Sequence, residues 1–129
     1  MAGGHRDSVP AGPGMNDDGS GVVALLAMVD RFPAGRLPPR TALRIAFWGG
    51  EELGLLGSNN YVQSLNLDGL KDISLYLNFD MLGSPNPGYF TYDGDQSTQP
   101  GNDGAPRVPE GSAGIERTLV AYLTAAGKP

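Results

Sequence analysis

The chain has no cysteine and a single histidine, His5, among 129 residues. Without cysteine there are no disulfides, no thiol nucleophile and no thiolate metal site. With one imidazole, a site drawn wholly from this chain cannot use two. Basic residues are few as well: nine Lys and Arg against fourteen Asp and Glu, a net charge of −5. That balance excludes a nucleic-acid surface, which needs clustered Lys and Arg. No apolar run approaches the ~20 residues of a membrane span, so no membrane partner is expected. No signal peptide is visible at the start of the sequence.

What is present is an alternation of apolar runs with glycine- and proline-rich breaks. Residues 3–8 read as the end of a strand feeding a loop. Residues 19–32 are apolar nearly all round, which predicts a largely buried helix. Residues 42–48 have the length and residue types of a buried strand. A helix opening at Glu51-Glu52 and running to about Leu65 follows, with Gly54 and Gly57 implying tight packing or an irregular first turn. Residues 73–81 read as an interior strand, residues 89–92 as a further short strand, and residues 93–111 as a long loop. A last helix is predicted from Ser112 to about Ala126, with Ile115, Leu119, Tyr122 and Leu123 on one face. This order is the signature of an α/β domain. A single domain over residues 1–129 is expected, interrupted only by the 93–111 loop.

Acids and the histidine gather at the strand ends and the turns after them: His5 with Asp7, Asp17 with Asp18, Glu51 with Glu52, then Asp80. In an open α/β sheet chemistry sits just beyond the carboxyl ends of the strands. If the strands are parallel neighbours, these groups converge at one edge. So many carboxylates in one place repel each other unless a cation is present. Imidazole with carboxylate oxygens suits Zn²⁺. Adjacent residues point different ways, so Glu51 and Glu52 should differ in role, a metal ligand beside a general base. Each residue also has a plainer reading: Asp17 or Asp18 as a helix cap, the glutamates as acids offsetting a helix dipole.

Four motifs occur in order: His5-Arg6-Asp7-Ser8, Pro13-Gly14-Met15-Asn16-Asp17-Asp18-Gly19-Ser20-Gly21, Trp48-Gly49-Gly50-Glu51-Glu52-Leu53-Gly54-Leu55-Leu56-Gly57-Ser58, and the run from Leu77-Asn78-Phe79-Asp80-Met81 to Tyr89. Together they resemble the M28 zinc aminopeptidases, most closely the Streptomyces-type secreted enzymes, over residues 3 to about 126. The resemblance implies a mixed, mostly parallel sheet flanked by helices, with two zinc ions at the strand ends. It implies that His5 and Asp80 ligate one zinc, that Asp17 bridges both and that Glu52 ligates the second. Glu51 is then the general base toward water, and Asp7 the carboxylate that holds His5 by its other ring nitrogen. A cis peptide between Asp17 and Asp18 is also implied, as are peptide substrates with a free amino terminus and a secreted location.

The family's second zinc takes a histidine far downstream, with a tyrosine beside it for the oxyanion, and no second histidine is here. The expectation is therefore an incomplete, central fragment of the catalytic domain, weakly active or inactive, with its second zinc site short of a ligand. Such a fragment should expose Val22, Leu25, Leu26, Leu119 and Leu123. An alternative of another class is a non-catalytic binding module on the same fold, and a third reading is a cyclase acting on N-terminal glutamine. A retired site usually shows substituted acids; here every expected acid is in place, which favours the enzyme.

Overall fold

The computed structural model describes residues 1–32, 41–98 and 107–128. They form two compact units, residues 1–87 and 88–129.

The first unit is built on the strand β1 (Ala2–His5), buried along its whole length. Two strands pair with it in parallel, β2 (Ile45–Trp48) on one side and β3 (Leu77–Asn78) on the other, in the order β2-β1-β3. His5 lies opposite Trp48, and Gly3 opposite Asn78. All three described strands are thus parallel, where a mixed, mostly parallel sheet was expected, and the α/β class stands.

The small residues of β1 make its central place possible. Successive side chains of a strand point to opposite faces. A methyl group at Gly4 would lie 2.6 Å from Asp18 and 3.4 Å from Leu25, whereas one at Gly3 would lie 2.6 Å from the Tyr76 hydroxyl and 2.9 Å from the Trp48 indole nitrogen. One face is therefore covered by helix α1 (Gly19–Arg31) and the other by aromatic rings. Trp48 packs there against Tyr61 of helix α2 (Leu56–Ser64) at 5.4 Å and edge-on to Tyr76 at 6.4 Å. The indole N–H donates to the Tyr76 hydroxyl, which donates to Asn78.

Several expectations change. Helix α1 starts where the sequence places it, yet only Gly21 and Leu25 are buried; Val23, Leu26 and Val29 are exposed. Leu25, expected at the surface, is 1% exposed, because it is the residue that α1 presses against β1. Leu26 and Leu119 are exposed as expected, and Val22 and Leu123 are half-buried. The second helix begins at Leu56, not at Glu51. Leu55 takes a left-handed φ of 60°, and residues 49–55 are turns. Gly57 is the tightly packed glycine, since a methyl group there would meet the Gly49 carbonyl at 2.5 Å. A short helix α3 (Leu67–Lys71), not anticipated, is capped by Asn66, whose side chain accepts the Gly69 N–H. The strand expected over 73–81 shortens to the two residues that pair with Ala2 and Gly3 of β1.

The second unit holds helix α4 (Ser112–Ala125), close to its expected bounds, and an acidic turn over residues 93–98. Residues 89–92 are irregular and not a strand. The loop expected over 93–111 lies partly outside the described residues. Where it is described, Asp93 accepts the Ser97 and Thr98 N–H groups and the Thr98 hydroxyl, and Glu116 of α4 accepts the Gly94 N–H. The Lys128 ammonium lies 5.0 Å from the Tyr89 ring centroid.

Candidate metal centre

Parallel pairing puts the carboxyl ends of β1, β2 and β3 at one edge of the sheet. His5 ends β1, and Glu51 and Glu52 follow β2 after two glycines. Asp80 follows β3 with Phe79 between, and Asp17 and Asp18 precede α1. His5 is the hub. It is 2% exposed, and its Nε2 lies 2.9 Å from Asp17 Oδ1, 3.6 Å from Asp80 Oδ2 and 3.8 Å from Glu51 Oε2. The Asp17–Asp18 peptide is cis.

The Asp7 carboxylate makes bonds beyond the contact with His5 that the resemblance implies. It stands 3.7 Å from His5 Nδ1, beyond hydrogen-bonding range, and Nδ1 lies 3.0 Å from the Asp7 backbone carbonyl instead. The carboxylate accepts the backbone N–H groups of Glu51 and Glu52, at 3.1 and 3.3 Å. It thereby fixes the turn that carries both glutamates. Burial, the largest single influence, raises the Asp7 pKa, but the N–H donors of Glu51, Asp7 itself and Glu52 together with His5 outweigh it, and the net effect is a carboxyl below its ordinary range.

Asp18 is a buried carboxylate, 1% exposed. One oxygen accepts the His5 N–H at 3.0 Å, and the other accepts the N–H groups of Gly21 at 3.0 Å and Met81 at 3.3 Å. It caps α1, as one reading of the sequence allowed. The ties to His5 and to the turn after Asp80 were not visible from spacing, since they join residues 13 and 63 positions away.

Burial lowers the affinity of the His5 imidazole for a proton, but Asp80, Glu51, Asp18 and the Asp7 carbonyl outweigh it, so its pKa lies above 6.5. Asp80 is pushed up, first by burial and then by Asp18, with His5 opposing. Two sets of three donors form here, His5 with Asp17 and Glu52, and His5 with Asp18 and Asp80; within each set the ligand atoms lie within 4.8 Å of one another. Glu52 Oε1 is buried and has no hydrogen-bond partner. A buried carboxylate oxygen without a partner is costly unless a cation faces it. One imidazole, several carboxylates and an orphaned oxygen fit a divalent cation. Glu51, although within reach of His5, falls in neither set.

Comparison with known proteins accords with this geometry. The model of "Peptidase family M28" matches residues 1–128. The chain is 65% identical over 129 residues to the "Probable lipoprotein aminopeptidase LpqL" of Mycobacterium tuberculosis, covering 99% of this chain and 25% of that one. It is 48% identical over 128 residues to an "Aminopeptidase" of Pseudomonas aeruginosa, covering 99% and 23%. Against "Leupeptin-inactivating enzyme 1" of Streptomyces exfoliatus it is 52% identical over 99 residues, covering 77% and 23%. The chain therefore spans about a quarter of the length of these relatives. With the family model matched across nearly every residue, the chain belongs to peptidase family M28.

Proposed function

We propose that the strand-end cluster is the hydrolytic centre of a zinc-dependent aminopeptidase, which removes residues from peptides with a free amino terminus. The observation that carries the reading is the partnerless, buried Glu52 Oε1 beside His5 and Asp17. His5, Asp17 and Asp80 would hold one zinc, and Asp17 with Glu52 would contribute to a second. Zinc, when bound, supplies Lewis acidity, lowering the pKa of water and polarising the scissile carbonyl. Asp7 holds the Glu51-Glu52 turn, so the two adjacent carboxylates keep separate directions. Glu51 is the base: it takes a proton from the attacking water and returns it to the leaving amine nitrogen. The acidic surroundings favour the ammonium of a substrate's amino terminus. Work outside the cytoplasm belongs to the same proposal, supported by the lipoprotein named among the relatives.

The test is a pair of substitutions in the chain extended to carry the downstream histidine and tyrosine that the resemblance implies, assayed on a leucine-type chromogenic substrate, with zinc content measured on the same samples. Glu51→Gln is expected to lower turnover about 10²–10⁴-fold with zinc content unchanged. Glu52→Gln is expected to lower zinc occupancy. The opposite pattern would overturn the division of labour between the two glutamates.

A further inference from the structure

Three successive backbone N–H groups immediately after Asp80 are accepted by three side chains that bracket Asp17. The Met81 N–H goes to Asp18 Oδ1 at 3.3 Å, the Leu82 N–H to Ser20 Oγ at 2.9 Å, and the Gly83 N–H to Asn16 Oδ1 at 2.9 Å. The acceptors are tied to one another. The Ser20 hydroxyl lies 2.7 Å from the Asn16 carbonyl and 3.1 Å from Asn16 Oδ1, and the Asn16 amide donates to Ser84 Oγ at 3.1 Å. The approach is close: a methyl group at Gly83 would meet Asn16 Oδ1 at 3.1 Å and Ser20 Cβ at 3.2 Å. Met81, at the first rung, takes a φ of 51°, a left-handed conformation that a non-glycine residue adopts only when its surroundings hold it there.

We propose that Asn16, Asp18 and Ser20 form a clamp whose task is to fix Asp80 against Asp17 across His5, making Asn16 and Ser20 positioning residues of the metal centre. The inference rests on the metal-centre reading given above. Its logic is geometric. Asp17 comes from the turn before α1, and Asp80 from the turn after β3, 63 residues later. The β1–β3 pairing stops at Gly3 and Asn78, with one further bond from the Phe79 N–H to the Gly3 carbonyl, so beyond it the direct hydrogen bonds described from the Asp80 turn to the α1 turn are these side-chain contacts. The alternation of residues 16, 18 and 20 sends three acceptors to one strip of backbone and leaves Asp17, between them, facing His5. Both oxygens of Asp18 are already engaged by N–H donors, which casts it as a support for the ligands and not as one of them.

The experiment uses the full chain and three variants: Ser20→Ala, Ser20→Thr, which keeps the hydroxyl, and Ser64→Ala, which loses a hydroxyl bonded within α2 to the Tyr61 carbonyl. Zinc affinity is measured by competition with a chromophoric chelator, the visible spectrum of the cobalt-substituted chain reports ligand geometry, and amide exchange is followed at Leu82 and Gly83. Supporting residues of this kind typically cost ~10–100-fold in metal affinity when removed. Ser20→Ala is expected to weaken zinc by about tenfold or more, to change the cobalt spectrum and to speed exchange at Leu82 and Gly83. Ser20→Thr is expected to restore all three, and Ser64→Ala to leave them unchanged. If Ser20→Ala loses its helical circular dichroism, Asn16→Ala, which leaves the Asp18 cap in place, takes its role with the same expectations. Wild-type zinc affinity and cobalt spectrum in Ser20→Ala would overturn the clamp alone, as would equal losses in Ser20→Ala and Ser64→Ala. A wild-type chain that takes up no zinc would overturn the metal-centre reading together with it.

Discussion

Among the described residues, two regions hold acids whose donor atoms lie close enough together to hold a cation, and they differ in what their oxygens already do. In the second unit, Asp93, Asp95 and Glu116 form such a group. Asp93 accepts the Ser97 N–H, the Thr98 N–H and the Thr98 hydroxyl; Asp95 also accepts the Ser97 N–H, and Glu116 the Gly94 N–H. The Thr98 hydroxyl and N–H, ahead of the other donors, hold the Asp93 carboxyl down at about 2. That turn stabilises its own charge. At the strand ends of the first unit, Glu52 keeps an oxygen buried with no partner, and Asp80 is raised by burial and by neighbouring carboxylates. Proximity of acids is common to both regions. A buried side-chain oxygen without a partner is found, among the described residues, only in the first, and it is what points to a cation.

The largest effect that would separate the two regions is on zinc affinity. Asp17→Asn should weaken zinc binding by about 10²-fold or more, the upper end of what even supporting residues cost. Asp93→Asn should leave it unchanged. Calorimetric titration of the two variants beside the wild-type chain measures both, and a matching loss in Asp93→Asn would erase the distinction.

A smaller effect is expected on stability. Zinc at a hundred times its dissociation constant should stabilise the fold by ~2.7 kcal/mol through mass action. Trp48, the chain's single tryptophan, pairs in register with His5, so its emission follows the change. The shift should vanish in Asp17→Asn and persist in Asp93→Asn.

The smallest effect is the opposite pH dependence of the two regions in the zinc-free chain. His5 is raised above 6.5, so its contribution is fully present below that value and is lost as pH rises through the folded-state pKa. Asp80 is raised above 3.8 and acts in the same sense: its contribution is present below 3.8 and lost as pH rises through its higher folded-state value. Asp93 is lowered, so its contribution is present above 3.8 and lost as pH falls toward about 2. Melting midpoints across acidic and near-neutral pH should show His5→Asn flattening the neutral arm and Asp93→Asn flattening only the acid arm. One variant flattening both arms would mean that the two regions do not titrate independently.

Much of the site is legible in the sequence because strand ends announce themselves. The apolar run ending at Trp48 and the glycines after it put Glu51 and Glu52 at a sheet edge, and parallel pairing then brings His5 and Asp80 to the same edge. Helices α1 and α4 are legible from apolar spacing and from the breaks that bound them. The rest depends on long-range contacts that no local pattern encodes. The two-residue length of β3 reflects how far it stays in register with β1, at Ala2 and Gly3, and not its own composition. The late start of α2 follows from the turn that Asp7 orders from 44 residues away. Asp18 has the appearance of a helix cap and is one, but its bonds to His5 and Met81 appear only when the strands are assembled. The exposed Val23 and Leu26 show that apolarity all round a helix does not by itself set how much of it is covered.

The central claim is that the acids around His5 share a cation, and His5 itself is the most direct place to test it. Zinc should be titrated into the wild-type chain and into His5→Asn at near-neutral pH, with X-ray absorption used to look for imidazole around the bound metal. The account predicts zinc bound by the wild-type chain with an imidazole signature, and both signature and tight binding lost in His5→Asn. Equal binding by the two chains, or bound zinc with no imidazole in the wild type, would contradict it.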